Sequence, residues 1–218
     1  MSENNRLPKF PDSYIGDKAK EYNNSNWMER NQKKTTLLCI QYLYDTKLDL
    51  LSTQDFLEDK EYIILDLGCG TGFSSEVLAE SGFRVIGVDI LKDMLYKAKF
   101  KAKDCSNYNS VHYILADINY LPLKENSIDH VISVSAYNFI VSEKRELGDK
   151  LKTLNIVATT IHKILKQAGR VVIEFYPKDE KELELFTSSF KKNNFNGFIV
   201  KSNLKQKSGQ QFLLLKKK

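Results

Sequence analysis

From Tyr62 onward, short apolar runs alternate with longer amphipathic stretches. The runs at 62–67, 84–88, 111–116, 129–134, 170–176, 196–202 and 210–216 have strand length and predict seven strands. Between them, apolar positions recur at helical spacing over 73–81, 91–103, 149–166 and 178–193. Strand and helix in alternation, with strands apolar along most of their length, is the pattern of a parallel sheet covered on both faces. The last two runs are separated by the turn-forming segment Lys205 to Gly209, which predicts an antiparallel hairpin at the end of the sheet. The expected fold class is therefore α/β: a seven-stranded, mostly parallel sheet with an antiparallel C-terminal hairpin and helices on both faces. Upstream, residues 1–24 read as a polar arm. Trp27 to Asp45 reaches helical spacing in its second half, and 48–60 is weakly periodic, a short helix with a loop. The organisation expected is a single domain, with an N-terminal arm and lid helices over 1–61 and the core over 62–218.

Composition narrows this without redirecting it. A chain of 218 residues, 42% of them hydrophobic, is long enough to bury one sizeable core. Its longest apolar runs, such as Val131 to Val134, fall far short of the roughly 20 residues that a bilayer span needs. Met1 to Phe10 is polar and lacks the apolar segment of a secretory signal. A cytoplasmic protein is expected, nuclear or nucleolar in a eukaryote. Cys39, Cys69 and Cys105 show no C-x-x-C spacing and read as reduced structural thiols. His112, His130 and His162 are scattered, so no metal site is expected. The net charge is +5, and the last eighteen residues hold Lys201, Lys205, Lys207, Lys216, Lys217 and Lys218 without one acid. Such a surplus permits an anionic partner and equally suits a solvated surface.

The chemistry begins where the first strand ends. Ile63-Ile64-Leu65-Asp66-Leu67-Gly68-Cys69-Gly70-Thr71-Gly72 runs from a buried strand into a glycine-rich turn and on into a helix. Gly68, Gly70 and Gly72 let the backbone turn sharply and approach a ligand closely, with Cys69 between them. Asp66, two residues before the first glycine, is placed to orient an amino group directly or through water, a form that suits an amino-acid moiety. Asp89 closes the second strand about twenty residues after the loop, the place from which a carboxylate reaches ribose hydroxyls. Ile90 and Met94 follow on the next turn, against an adenine or simply in the core. Asp117 and Ile118 follow the third strand, where the acid accepts from an adenine amino group, or caps a turn. Three acids at the ends of three successive strands point together to an adenosyl cofactor, S-adenosylmethionine, on the Rossmann-like plan of class I methyltransferases.

The end of the fourth strand, from Ser133 through Ser135 and Ala136 to Tyr137, Asn138 and Phe139, is expected to face the transferred methyl group. Tyr137 and Asn138 are the candidates for stacking on and hydrogen-bonding a base, with plain packing as the alternative. No Asn/Asp-Pro-Pro-aromatic segment is present to grip an exocyclic amine, and no Pro-Cys presents a nucleophilic thiol. An intrinsically nucleophilic ring nitrogen such as guanine N7 fits that absence, since it needs alignment and no general base.

Several segments together resemble the guanine-N7 methyltransferases of small-subunit ribosomal RNA. They are Asp17-Lys18-Ala19-Lys20-Glu21-Tyr22, Val131-Ile132-Ser133-Val134-Ser135-Ala136, Glu174-Phe175-Tyr176-Pro177-Lys178, and Asn194 to Phe198 leading on to Phe212-Leu213-Leu214. The sequence departs from that family at Tyr137-Asn138-Phe139, where an Ile-Gln-Trp-like triplet is expected. The resemblance implies methyl transfer from S-adenosylmethionine to small-subunit rRNA or its precursor, in ribosome biogenesis. It also implies a small zinc-binding activator protein that pairs with edge strand 111–116. Two other functions fit the same cofactor loop: a small-molecule methyltransferase, and an assembly factor that acts mainly by docking on a ribosomal precursor.

Overall fold

The computed structural model describes residues 9–51, 61–103, 110–142, 144–202 and 210–218. Seven strands form one sheet: β1 (Ile63–Leu67), β2 (Arg84–Asp89), β3 (Val111–Leu115), β4 (Ile128–Ser133), β5 (Leu165–Phe175), β6 (Phe195–Lys201) and β7 (Gln211–Lys217). Their order is β3-β2-β1-β4-β5-β7-β6. The first five run parallel, and β7 enters antiparallel between β5 and β6, which is the hairpin expected from the sequence. The turn of that hairpin, 203–209, lies outside the described residues, as do Cys105 and most of the weakly periodic 48–60 segment. Around the sheet stand α1 (Asp17–Asn23), α2 (Asn26–Leu43), α3 (Phe73–Glu80), α4 (Lys92–Ala102), α5 (Leu147–Ile164) and α6 (Glu180–Lys192). None of the described helices is long and apolar enough to cross a membrane.

Period-two alternation sends neighbouring side chains to opposite faces. Leu65, Val131, Val171 and Leu213 join Leu154, Val157 and Ile161 of α5 and Phe186 and Phe190 of α6. Their neighbours Ile64, Ile132, Val172 and Leu214 join Cys39 and Leu43 of α2 and Leu78 of α3. Burial on both faces explains why these strands read as continuous apolar runs.

Two boundaries differ from the sequence expectation. The helix expected over 149–166 gives way to strand at Leu165, so that β5 starts five residues before 170. Ile128 pairs with Leu165 and His130 with Arg170, and the register shift between them absorbs residues 166–169. Lys166 reaches back to the buried Asp129 carboxylate at 2.8 Å, an anchor visible only across strands. At the other end, the supposed polar arm contains α1, whose Ala19 is fully buried. Gly16 N–H donates to Asp93 of α4 at 2.7 Å, docking the arm beside the sheet.

Candidate functional site

Chain order reverses between β1 and β4: the chain runs outward through β2 and β3, then crosses back to β4. In open α/β sheets, ligands bind at such a switch point, outside the carboxyl ends of the strands. A cleft of about 570 Å³ lies there.

The glycine turn forms its floor. Gly68, Gly70 and Gly72 all take positive φ, at 76°, 55° and 83°. The Gly68 and Cys69 N–H groups both donate to the Val88 carbonyl, at 2.8 and 3.0 Å. A Cβ on Gly68 would collide with that of Ala136, and one on Gly72 would lie 2.6 Å from the Tyr113 hydroxyl oxygen. Gly68 is therefore the seam between the two halves of the sheet, while Gly72, which does not line the cleft, serves the packing of α3.

Asp66 sits behind the loop, fully buried, and accepts the Ser74 and Ser75 hydroxyls at 2.6 Å each. Burial raises its pKa to about 6, against the lowering effect of the two serine hydroxyls. It ties the loop to α3 and does not line the cleft. Asp89 does line it: Oδ2 accepts Gly70 N–H at 2.9 Å and Oδ1 accepts Leu91 N–H at 2.8 Å. Burial raises the Asp89 pKa and these backbone donors oppose the rise. Ile90, Met94, Asp117 and Ile118 line the same end with Cys69. Asp117 both lines the cleft and caps the turn at 118–120 through Asn119. Ser133 lies outside the cleft and stitches β4 to β1 by donating to the Leu67 carbonyl at 2.8 Å.

At the acceptor end, the two residues expected to hold a base are placed otherwise. Tyr137 is fully buried, its ring 5.4 and 5.7 Å from those of Phe186 and Phe190, so it is a core side chain. Asn138 uses both ends of its amide on the Tyr176 backbone, donating at 2.9 Å and accepting at 2.8 Å, and clamps the end of β5 to the segment after β4. The side chains that do line this end are Ser135, Phe139, Glu174, Tyr176, Gln210 and Thr35. Glu174 and Tyr176 lie in a segment that the sequence marks out, but no local signal gave Thr35 or Gln210 a role.

The arm supplies the roof. Phe10 stacks on Phe139 at 5.3 Å, Tyr14 meets Phe139 edge-on at 5.4 Å, and Tyr14 in turn meets Tyr22 at 5.7 Å. Tyr22 reaches Phe73 at the start of α3 at 6.3 Å, and its burial raises its pKa. An aromatic chain thus runs over the cleft from one wall to the other.

Two observations test whether these residues suit an amino-acid-bearing adenosyl group. Thr71 presents a buried hydroxyl to the cleft with no hydrogen-bond partner among the described residues. Gly68 and Gly70 present bare backbone to the cleft, and a Cβ there would press on Ala136 and Met94, which line it too. The donor set fits.

Comparison with known proteins agrees with this geometry. A family model described as a methyltransferase domain matches residues 58–214. The chain is 32% identical over 144 residues to the 18S rRNA (guanine-N(7))-methyltransferase of Bos taurus, covering 66% of this chain and 49% of that protein. It is 30% identical to the 18S rRNA (guanine(1575)-N(7))-methyltransferase of Saccharomyces cerevisiae, covering 86% of this chain and 62% of that one. The chain thus spans roughly half to three-fifths of the length of these relatives. Among solved structures, a Pyrococcus horikoshii protein superposes with a TM-score of 0.62 at 23% identity, over 90% of this chain and 93% of its own. A complex of the Haloferax volcanii Trm112 methyltransferase activator with a methyltransferase gives a TM-score of 0.55 at 16% identity, over 73% and 84% of the two chains. With the family model covering most of the chain, and a switch-point cleft floored by the glycine turn, the chain belongs to the methyltransferase-domain family.

Proposed function

We propose that this chain transfers a methyl group from S-adenosylmethionine to N7 of a guanine in small-subunit ribosomal RNA. One observation carries the reading: the glycine turn, Asp89 and Asp117 open into a single cleft, in a chain whose relatives are named for guanine-N7 transfer to 18S rRNA. S-adenosylmethionine supplies an electrophilic methyl group, so that the acceptor nitrogen's lone pair forms the N–C bond as the S–C bond breaks and leaves its pair on sulfur. Thr71 would hold the amino-acid end beside the bare backbone of the turn, Asp89 the ribose hydroxyls and Asp117 the adenine amino group, with Ile90, Met94 and Ile118 lining the same cleft. Asp66, Gly72 and Ser133 act one layer back, as the frame of the loop. Guanine N7 carries a lone pair and no proton, so the acceptor side has only to align it.

Within residues 1–61, Phe10 to Tyr22 serve as the lid that excludes water, whereas α2 belongs to the core. Lys34 and Lys144 at the cleft meet RNA phosphates, each contributing modestly and in a salt-dependent way. Among the described residues β3 pairs only with β2, and Leu115 on it, with Tyr96 and Phe100 on α4, exposes apolar surface. A strand-adding activator would cover that edge, and the Haloferax neighbour is in complex with a methyltransferase activator, which supports the expected zinc-binding activator here.

The test is transfer of labelled methyl from S-adenosylmethionine to small-subunit rRNA, with and without the activator, followed by nucleoside analysis. The expected product is 7-methylguanosine. The competing reading is a small-molecule acceptor, which the aromatic roof over the cleft favours. Cofactor binding without transfer to any RNA selects it. The docking reading stands instead if ribosome assembly survives Asp89→Lys but not deletion.

A further inference from the structure

The acceptor end of the cleft holds a buried carboxylate that cofactor binding does not use. Glu174 is fully buried, yet it lines the cleft. Its Oε2 accepts the Ser135 hydroxyl at 2.6 Å; its Oε1 accepts the Tyr176 hydroxyl and, at 2.7 Å, the Gln210 amide. The same Gln210 nitrogen donates to Thr35 at 2.9 Å, which ties the carboxylate to α2. Ser135 adopts φ 54°, a left-handed conformation that serine rarely takes, and its hydroxyl reaches Glu174 from there. Asn138 clamps the backbone of Tyr176. Four separate segments are thus fastened around one charge.

The direction of these bonds determines what the wall can recognise. A carboxylate has no hydrogen to give, so the hydrogens of both hydroxyls point toward it. Ser135 Oγ and Tyr176 Oη, which line the cleft, then have only lone pairs to offer a ligand, and the buried carboxylate lies behind them. Burial raises the Tyr176 pKa, so that hydroxyl keeps its hydrogen. The wall is made of acceptors around one negative charge, and its complement is an edge made of donors. Guanine carries such an edge in N1–H and the N2 amino group, whereas adenine presents a lone pair at N1.

We propose that Ser135 and Tyr176, oriented as acceptors by the buried Glu174 carboxylate, read the N1–H and N2 amino edge of the acceptor guanine and determine base specificity. The inference rests on the guanine-N7 reading above. Methylation at N7 moves no proton and leaves the purine ring positively charged, so the same carboxylate favours the charge that develops during transfer.

The test uses the full chain, with its activator if transfer requires one. The methylated guanosine in small-subunit rRNA is first mapped by chemical cleavage at 7-methylguanosine. Inosine, which lacks the 2-amino group, is then placed at that position. Wild type is expected to transfer about tenfold more slowly to inosine than to guanosine, the size of one lost hydrogen bond that leaves an oriented acceptor unpaired. Glu174→Ala should lose about 30-fold or more on guanosine and treat the two RNAs alike within about twofold. Its affinity for S-adenosylhomocysteine, measured by calorimetry, should stay within about threefold of wild type, as expected of a residue apart from the cofactor. Should that variant fail to bind S-adenosylhomocysteine, Tyr176→Phe decides, with an expected fall of about threefold in guanosine-to-inosine discrimination. Variants that discriminate as wild type does overturn the role of Glu174 and leave the guanine-N7 reading standing. Absence of 7-methylguanosine with wild type overturns both.

Discussion

The two halves of the cleft are built in opposite ways. The nucleotide half comes from one stretch of chain, Gly68 to Met94, joined by Asp117 to Asn119, and its geometry is held largely by backbone groups: Gly70 and Leu91 N–H on Asp89, Gly68 and Cys69 N–H on Val88. The acceptor half draws on residues near 10–35, 134–140, 174–176 and 210, joined by aromatic rings and side-chain hydrogen bonds. A loop that holds itself by its own backbone leaves a local motif in the sequence. A wall assembled from distant segments leaves scattered residues of ordinary type, which is how Thr35 and Gln210 escaped notice and why Tyr137 looked functional.

Substitutions on each side can sharpen or break this contrast. The largest effect is expected at Tyr137, the misread acceptor residue. Truncation to Ala empties a site between Phe186 and Phe190 and should cost about 3–5 kcal/mol of stability. Tyr137→Phe, which removes a hydroxyl with no partner among the described residues, should leave methyl transfer within about twofold of wild type. Denaturant titration with a transfer assay reads both, and a large transfer defect in Tyr137→Phe would restore the ring to the acceptor site.

Next comes Asp89→Lys, which removes the acceptor for Gly70 and Leu91 and places a cation at the proposed ribose contact. It should weaken S-adenosylhomocysteine binding about 100-fold or more by calorimetry, the scale of losing charged hydrogen bonds in a buried site.

Asp66 tests the frame behind the loop. Its folded pKa, about 6, lies above the ordinary carboxylate value, so the folded state binds the proton more tightly than the unfolded chain does. The stability it favours is present below the unfolded pKa and lost as pH rises through about 6. Asp66→Asn, which keeps an acceptor for Ser74 and Ser75, should remove that slope and raise stability at neutral pH by about 2 kcal/mol. Thermal melts from pH 4 to 7 measure it, and an unchanged slope would assign the pH dependence to another group.

The smallest effect is expected at the roof. Phe10→Ala removes a ring stacked on Phe139 and should weaken S-adenosylhomocysteine binding about three- to tenfold, in line with about 1 kcal/mol for an aromatic pair. No change would separate the arm from the cofactor.

Some of this protein was determined by sequence alone. Continuous apolar runs specify strands buried on both faces, and these strands appear with their faces as alternation requires. Glycines at 68, 70 and 72 specify a turn through positive φ, and an acid closing the second strand specifies a carboxylate within reach of that turn. These follow from neighbours along the chain, where backbone geometry and side-chain period act over a few residues. Tertiary structure decided the rest. The early start of β5 depends on Ile128 pairing with Leu165 and on Lys166 reaching Asp129. The arm folds over the cleft because Phe10, Tyr14 and Tyr22 bury their rings against Phe139 and Phe73. The Glu174 wall exists because a carboxylate removed from water requires donors, and Ser135, Tyr176 and Gln210 converge on it from separate segments. Contacts of that kind are energies between distant residues, and a linear pattern does not carry them.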